Sequence, residues 1–524
     1  MRPIGLSGET VLSWVAAAVG LVGIVSAVTP EMAGRYDVVR AVLPPGTPHV
    51  ARIAALAFGL ALIWLSRSLA RRRRRAWQLA VVAVIAVSLA HIAKGLDFEE
   101  ALLGLVLLVA LIRYRRRFDV PGDPLQIRPV LATGLALASA IGAAFALETA
   151  RGAAFDRAAD ALTAVALLLG FCALQLWLRP LSERVRQSAD ERRQVRELVQ
   201  RHGDDSLAFF ALRRDKSWFF SPTRRSFLSY RVLGGAALVS ADPIGDEREF
   251  PELLAEFRRV CHARGWRLAL LSVRAELLPV TRELGLRSIK IGDEAVVQTA
   301  RFSLEGRAIR KVRQSVARLE RGGYRFRVVR AAEVEPALRS ELEQVSARWR
   351  GASAERGFSM TMDDPFREPE TLFAVAETDG GVGGFLHLVP AAHGRAYSLS
   401  AMRRLPTTPN GLMEFLIVKT IAWARERHVD ELSLNFCVFT DMLDGPAWTP
   451  LHALLRRGLR VADRIFQIER LFVFNRKFEP EWRPRYLCFE RVSDLGLVGL
   501  AYLRVESLLT PPGPWTRRTP AGTA

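Results

Sequence analysis

Cysteine is scarce in this chain: four residues in 524, at positions 172, 261, 437 and 488. None stands in a CxxC pair or at zinc spacing from a histidine. Neither a disulfide framework nor a metal centre follows, and reduced core thiols in a cytosolic compartment are expected. Acidic residues are short as well. There are 54 Asp and Glu against 74 Lys and Arg, a formal charge of +20, which points to polyanionic partners: phospholipid head groups, nucleic acid, or both. A P-loop and an HExxH are missing. So is the Arg/Gln-x-x-Gly-x-Gly/Ala signature that cradles a coenzyme A pyrophosphate: "RELGLR" (282–287) ends in Arg where a small residue is needed, and "DGGVGGF" (379–385) suits a hairpin turn. His393 and His428 lack partners at ligand or triad spacing and are expected at the solvent. No cofactor is implied.

What the chain has is apolar sequence, unevenly spread. Runs near 11–28, 50–66, 76–93, 98–112, 130–147 and 158–178 approach the ~20 residues that cross a bilayer. The fourth is short unless Phe98 joins it. No small-residue cleavage site follows the first, so it reads as an anchor. "RRRRR" (71–75) follows the second run, "RYRRR" (113–117) the fourth, and Arg179, Arg184 and Arg186 the sixth. Six spans with both ends inside place every basic cluster on the cytoplasmic side. The expectation is a multi-pass protein of the cell membrane, with residues 1–180 as its membrane domain, both termini cytoplasmic, and the basic clusters against anionic head groups.

Beyond residue 180 the pattern is that of a soluble α/β protein. A polar helix over 182–203 leaves the membrane. Strand-like "WFFS", "SFLSYRVLGGAALVS", "LALLSVR" and "AVVQTARF" surround the amphipathic helix "FPELLAEFRRVCHARG", giving a unit over 204–302. "SLEGRAIRKVRQSVARLERGG" (303–323) reads as one helix capped by Ser303. At 100° per residue, Ile309, Val312, Val316 and Leu319 cover one face, while Arg307, Arg310, Lys311, Arg318 and Arg321 crowd the other. With almost no acid to balance it, this ridge suits a phosphate backbone as well as solvent. Strand, helix, hairpin, strand, helix and strand over 324–509 form a second α/β unit. The tail 510–524 reads as disordered.

The soluble half resembles the aminoacyl-phosphatidylglycerol synthases, the lysyl- and alanyl-phosphatidylglycerol synthases of the multiple peptide resistance factors. The stretches that carry the resemblance are "DKSWFFS" (215–221), "ADPIG" (241–245), "LGLRSIKIGDEAVV" (284–297), "RGFSM" (356–360), "SLSAMRRLPTTPNGLMEFLI" (398–417), "ELSLNFCVF" (431–439) and "FVFNRKFEPEWRPRYLCFE" (472–490). With six spans in front, the chain is most similar to actinobacterial members. It ends without the lysyl-tRNA synthetase that some of them carry, so aminoacyl-tRNA is expected to come from elsewhere. The resemblance implies tandem GNAT-like acyltransferase domains joined by the basic helix 303–323. It also implies transfer of an aminoacyl group from aminoacyl-tRNA to phosphatidylglycerol. The alternatives are a related acyltransferase with another donor or lipid acceptor, or a lipid-binding module that has lost the chemistry.

Aminoacyl transfer needs an aligned acceptor hydroxyl, a place for its proton and stabilisation of an oxyanion. By resemblance, Arg403 falls on the arginine of the family's Asp-x-x-Arg motif, and Lys477 in "FNRKF" on a second functional position. A guanidinium can hold a phosphate by two bonds. Arg404 stands beside it. Where the family carries Asp, this chain has Ser400, which carries no charge. Asn435 either positions substrate or satisfies a backbone group in the core. Glu414 and Glu469 are candidate bases or amine binders, although a helix-start glutamate also serves the helix dipole. Arg307, Arg310, Lys311, Arg318 and Arg321 are the candidate tRNA-binding residues. A cation-lined cleft under the inner leaflet, shared by Arg403 and Lys477, is the expected site.

Overall fold

The computed structural model describes residues 8–29, 47–122, parts of 129–178, 181–183, 185–351, 357–438 and 468–507. The chain divides into two compact units, 1–183 with 259–266, and 184–258 with 267–524.

In the first unit the apolar runs form helices α1 (Gly8–Val28), α2 (Thr47–Leu69), α3 (Arg74–Gly95) and α4 (Phe98–Arg113). Phe98 does join the fourth run. Ala16, Ala55, Leu62, Ala80, Val84, Leu107 and Leu111 are buried between the helices, yet Trp14, Leu21, Leu60, Val82, Leu89, Leu102 and Val106 remain exposed on the outside. Helices apolar on both faces pack in lipid through small residues rather than through a hydrophobic stripe. Gly20 and Gly59 show this: a Cβ on either would lie 2.6 or 2.8 Å from the other's carbonyl oxygen. Two of the described helices, Gly8–Val28 and Arg74–Ala93, are long and apolar enough to cross a membrane, and Ala54–Leu69 is shorter. The expected count of six spans is therefore met only in part. The runs 130–147 and 158–178 lie largely outside the described residues.

The arginine clusters meet at one end of this bundle. Arg72 Nε donates to the Arg117 carbonyl at 3.0 Å, Arg72 pairs with Asp119 at 2.7 Å, and Arg75 donates to the Trp177 carbonyl at 3.1 Å.

The second unit opens with α5 (Ala189–His202). The helix begins seven residues later than the polar run that starts at 182, because Ser188 and Glu191 form a capping box. Ser188 Oγ accepts from the Glu191 amide at 3.1 Å, and Glu191 Oε2 accepts from the Ser188 amide at 3.2 Å. Then follow β1 (Ser217–Phe220), β2 (Ser226–Leu233), β3 (Ala236–Ser240), β4 (Ile244–Gly245), α6 (Phe250–Arg264), β5 (Arg267–Val273), α7 (Leu278–Glu283) and β6 (Arg287–Gln298). The "LGGA" turn splits the long apolar run into β2 and β3, with Gly234 and Gly235 at φ 60° and 87°. The basic helix α8 (Arg310–Arg321) leads into β7 (Arg325–Arg330), α9 (Pro336–Arg350), β8 (Leu372–Thr378), β9 (Gly381–Ala391), β10 (Ala396–Arg404), α10 (Leu412–Glu426), β11 (Glu431–Val438), α11 (Ile468–Arg476), β12 (Glu481–Phe489) and α12 (Leu495–Val505).

The helix expected over 303–323 is thus shorter at its start. Gly306 has φ 90°, which interrupts helical backbone, and Ser303 Oγ accepts from the Glu305 amide at 3.1 Å in a local turn instead of capping a helix. The two-faced pattern stands: Ile309, Val312, Val316 and Leu319 are buried in the core shared with α10.

The strands form one sheet, β1-β2-β3-β5-β12-β6-β11-β10-β9-β8-β7, with β4 beside β2. Two pairs are parallel, β3 with β5 and β10 with β11. Each is joined by a helical crossover, α6 in the first half and α10 in the second. The repeat makes the two halves legible as a tandem. They are not sequential blocks, since β12 lies between β5 and β6. The last strand therefore completes the first half.

Candidate active site

Strand β10 decides where the expected site residues fall. It pairs with β9 along its length, but its parallel pairing with β11 runs only from Ala396↔Glu431 to Ser398↔Ser433. There the strands change course. β10 carries a bulge between Leu399 and Ala401, which leaves Ser400 outside the ladder. β11 has a register shift between Ser433 and Phe436, with Asn435 at φ 72°. Bulges and left-handed residues re-aim side chains and end pairing. Asn435 Nδ2 donates to the Leu399 carbonyl at 2.8 Å and to the Met360 carbonyl at 3.0 Å, and its Oδ1 accepts from the Phe436 amide at 2.8 Å. Ser400 Oγ accepts from the Met362 amide at 3.0 Å. Both polar side chains are occupied by backbone groups.

Three residues beyond the bulge, Arg403 is 8% exposed and sits over the Trp349 ring of α9 at 5.5 Å. On the same face, His387 of β9 is fully buried, 5.0 Å from the Phe373 ring. Burial, with Arg403 adding to it, drives the His387 imidazole down to about 3. Strand alternation turns Arg404 to the opposite face, where it reaches the carbonyls of Thr408 and Pro409 at 3.4 and 3.3 Å.

That opposite face also carries α10. Gly411, at φ 95°, begins the helix, and a Cβ there would lie 2.7 Å from Ser315 Cβ of α8. Glycine is what lets the two helices cross so closely. Arg318 donates to the Asn410 carbonyl, so the basic ridge runs beside the start of α10. Arg307, Arg310, Lys311, Arg318 and Arg321 are all exposed. Glu414, in the first turn of α10, accepts from Lys477 Nζ at 2.8 Å, and Lys477 also lies 5.1 Å from the Phe474 ring. Glu469 lies on α11, its side chain outside the described residues.

The expected site residues fall into three groups. Ser400 and Asn435 join at the bulge, Lys477 pairs with Glu414 on the α10 face, and Arg403 lies on the α9 face. The two cations are therefore on opposite faces of the sheet, so the expected cleft shared by Arg403 and Lys477 is not formed by the described residues. A cavity of about 290 Å³ elsewhere on the sheet is lined by Asp205, Arg274, Glu294, Glu431, Ser433 and Arg485 among others, and by neither cation. Its charges are satisfied internally. Arg485 donates to Asp205 at 2.6 and 2.9 Å and to Glu294 at 3.0 Å. Although burial alone would raise the Asp205 carboxyl, Arg485 holds it down to about 2. His393 is partly exposed and pairs with Asp204 at 2.8 Å. Cys261 and Cys488 are buried, and Cys172 is exposed.

Sequence reasoning did not single out Trp349, His387 or the segment 357–362 as neighbours of β10, nor Lys216 as a neighbour of that segment. The stretches "DKSWFFS" and "RGFSM" signalled importance, but not that Lys216 meets Phe358 or that Met360 meets Asn435 of β11.

A mixed sheet with two parallel, helix-linked strand pairs, a bulge beside a buried arginine and a basic helix between the halves define the class: a tandem GNAT-like acyltransferase fold. Residues 196–489 match the family profile described as "Phosphatidylglycerol lysyltransferase, C-terminal". The chain belongs to this family. It is 30% identical over 502 residues to the lysylphosphatidylglycerol biosynthesis bifunctional protein LysX of Rhodococcus opacus, covering 87% of this chain and 45% of that one. The LysX protein of Rhodococcus jostii is 36% identical over 322 residues, 60% of this chain and 29% of the relative. The chain thus spans less than half the length of these curated relatives. Among solved structures, the C-terminal domain of a protein assigned as a lysylphosphatidylglycerol synthetase in Agrobacterium fabrum superposes with a TM-score of 0.54 at 28% identity, covering 61% of this chain and 98% of that domain. L-PGS of Bacillus licheniformis gives 0.53 at 22% identity, 61% and 97% covered.

Proposed function

We propose that the chain is a membrane-anchored aminoacyltransferase that moves an amino acid, with lysine the first to test, from aminoacyl-tRNA to phosphatidylglycerol on the cytoplasmic leaflet. The observation that carries this reading is the family match over residues 196–489, joined to an exposed basic ridge beside the start of α10. In this scheme the glycerol hydroxyl of the lipid attacks the ester carbonyl. A base takes its proton, a tetrahedral oxyanion forms, and collapse breaks the ester bond and releases the tRNA ribose oxygen, which takes up that proton as a hydroxyl.

Arg403 is the group for the lipid phosphate or the oxyanion, from the α9 face. The Lys477–Glu414 pair serves from the α10 face, with Glu414 as base or amine binder. Arg404 and Glu469 assist in substrate binding, and Arg307, Arg310, Lys311, Arg318 and Arg321 hold the tRNA backbone. Ser400 and Asn435 act by shaping the bulge. The apolar helices anchor the enzyme, all basic clusters face the cytoplasm, and up to six spans are used.

The test is incubation of the full chain, in phosphatidylglycerol vesicles, with each labelled aminoacyl-tRNA. Labelled lipid is the expected product. No labelled lipid with any of the charged tRNAs overturns the reading. Ser400, in place of a carboxylate, favours one second reading, an acyltransferase with another donor. Product that survives ribonuclease treatment would select it.

A further inference from the structure

We propose that Glu506 and Lys216 are positioning residues for the transfer site, acting through segment 357–362 to hold the bulge of β10 that aims Arg403. The proposal rests on the reading of Arg403 as a transfer-site group.

Segment 357–362, "GFSMTM", is gripped by the two halves in alternation. Phe358 is fully buried in the core of the first half, with Ala236, Leu238, Ala269, Leu271, Val498 and Ala501. The amides of Phe358 and Ser359 donate to the Glu506 carboxylate at 2.9 and 3.3 Å, and Ser359 Oγ does so at 3.2 Å. Lys216 Nζ lies 4.7 Å from the Phe358 ring and donates to Ser240 Oγ of β3 at 2.7 Å. Arg213 donates to the Thr361 carbonyl. The intervening residues go the other way. The Met360 carbonyl accepts from Asn435 at 3.0 Å, and the Met362 amide donates to Ser400 at 3.0 Å.

One of these bonds lands on the bulge, at Ser400, and the other on Asn435 of β11, which itself donates to the Leu399 carbonyl beside the bulge. From Ala401 to Arg404 the ladder among the described residues is to β9 alone, Ala401↔His387 through Arg404↔Gly384. A strand held by one ladder keeps the freedom to shift sideways, and this segment is the restraint on its other side. Glu506 is buried and occupied by Phe358 and Ser359, and Lys216 is fully buried between Phe358 and Ser240, so both act through this segment. A carboxylate that accepts three hydrogen bonds from one short segment fixes the backbone of that segment. Misplacement of a reacting group by about 1 Å lowers rates on the order of 100-fold, so a loosened segment should be felt in turnover before it is felt in affinity.

The experiment measures steady-state transfer by the full chain in phosphatidylglycerol vesicles, with kcat and KM for each substrate. Glu506→Gln should lower kcat by about 10- to 100-fold, leave KM for aminoacyl-tRNA within about twofold, and be rescued in part by Glu506→Asp. Combined with Arg403→Ala it should add nothing beyond Arg403→Ala alone, because both act through one group. Lys216→Met should behave the same way. Should Glu506→Gln not fold, Ser359→Ala removes one of the three bonds and should give the same pattern, attenuated. An unchanged kcat, or losses that simply multiply in the double variant, overturns the proposal.

A second readout is independent of activity: amide hydrogen exchange at Ala401–Arg404 should accelerate in Glu506→Gln, with other strands of the sheet unchanged. If the wild-type chain transfers nothing, the functional reading fails and this exchange still judges the segment. Unaltered exchange there overturns the proposal as well.

Discussion

Arg403 and His387 share one face of the sheet, and burial governs both. The arginine lies against Trp349, in a place where a bidentate fork is worth more than a point charge. Arg403→Lys should therefore cost nearly as much as Arg403→Ala, about 100-fold or more in kcat/KM with unfolding unchanged. Near-normal transfer by the lysine variant would remove the bidentate role.

His387 makes a pH prediction. Its folded pKa, about 3, lies below the ordinary 6.5. Between those values the unfolded chain binds a proton that the folded chain refuses. Stability contributed by the neutral imidazole is complete above about pH 6.5 and is lost as pH falls towards 3, at no more than about 1.4 kcal/mol per pH unit. His387→Phe, which keeps a ring against Phe373, should flatten that part of the stability–pH curve in denaturant unfolding of the full chain. An unchanged slope refutes it.

At the scale of elements, α8 has two jobs on two faces. Its apolar face builds the core with α10, and its exposed cations Arg310, Lys311, Arg318 and Arg321, with Arg307 just ahead of the helix, are free of that duty. Arg310→Glu with Lys311→Glu should leave the fold intact and weaken tRNA binding by roughly tenfold or more. The slope of log K against log salt should fall by about 0.7–0.9 for each phosphate no longer neutralised. Equal binding with an equal slope would move the tRNA elsewhere. The same helix shows what was legible locally. Periodicity gave both faces correctly, while the start was misjudged because Gly306 takes φ 90° and Ser303 spends its hydroxyl on a local turn. The apolar runs 11–28, 50–66, 76–93 and 98–112 each became a helix, since length and composition alone specify such segments.

Across the whole second unit, β12 ties the first half together, its Arg485 joining Asp205 and Glu294 over 280 and 191 residues of sequence. Arg485→Met leaves both carboxylates buried without the cation that hydrogen-bonds them. It should destabilise the full chain by about 3–5 kcal/mol, read as a lower unfolding midpoint in denaturant. A shift within error would mean that the pocket hydrates and tolerates the change.

By itself the sequence determined the membrane-compatible helices, the basic ridge, the tandem α/β pattern and the family, because each is written in local periodicity or short motifs. Only the tertiary structure decided that β12 completes the first half. It also put Arg403 and Lys477 on opposite faces, and tied Ser400 and Asn435 to segment 357–362. Strand order and face depend on pairing between distant residues, and a single bulge or left-handed residue reverses which side a cation meets.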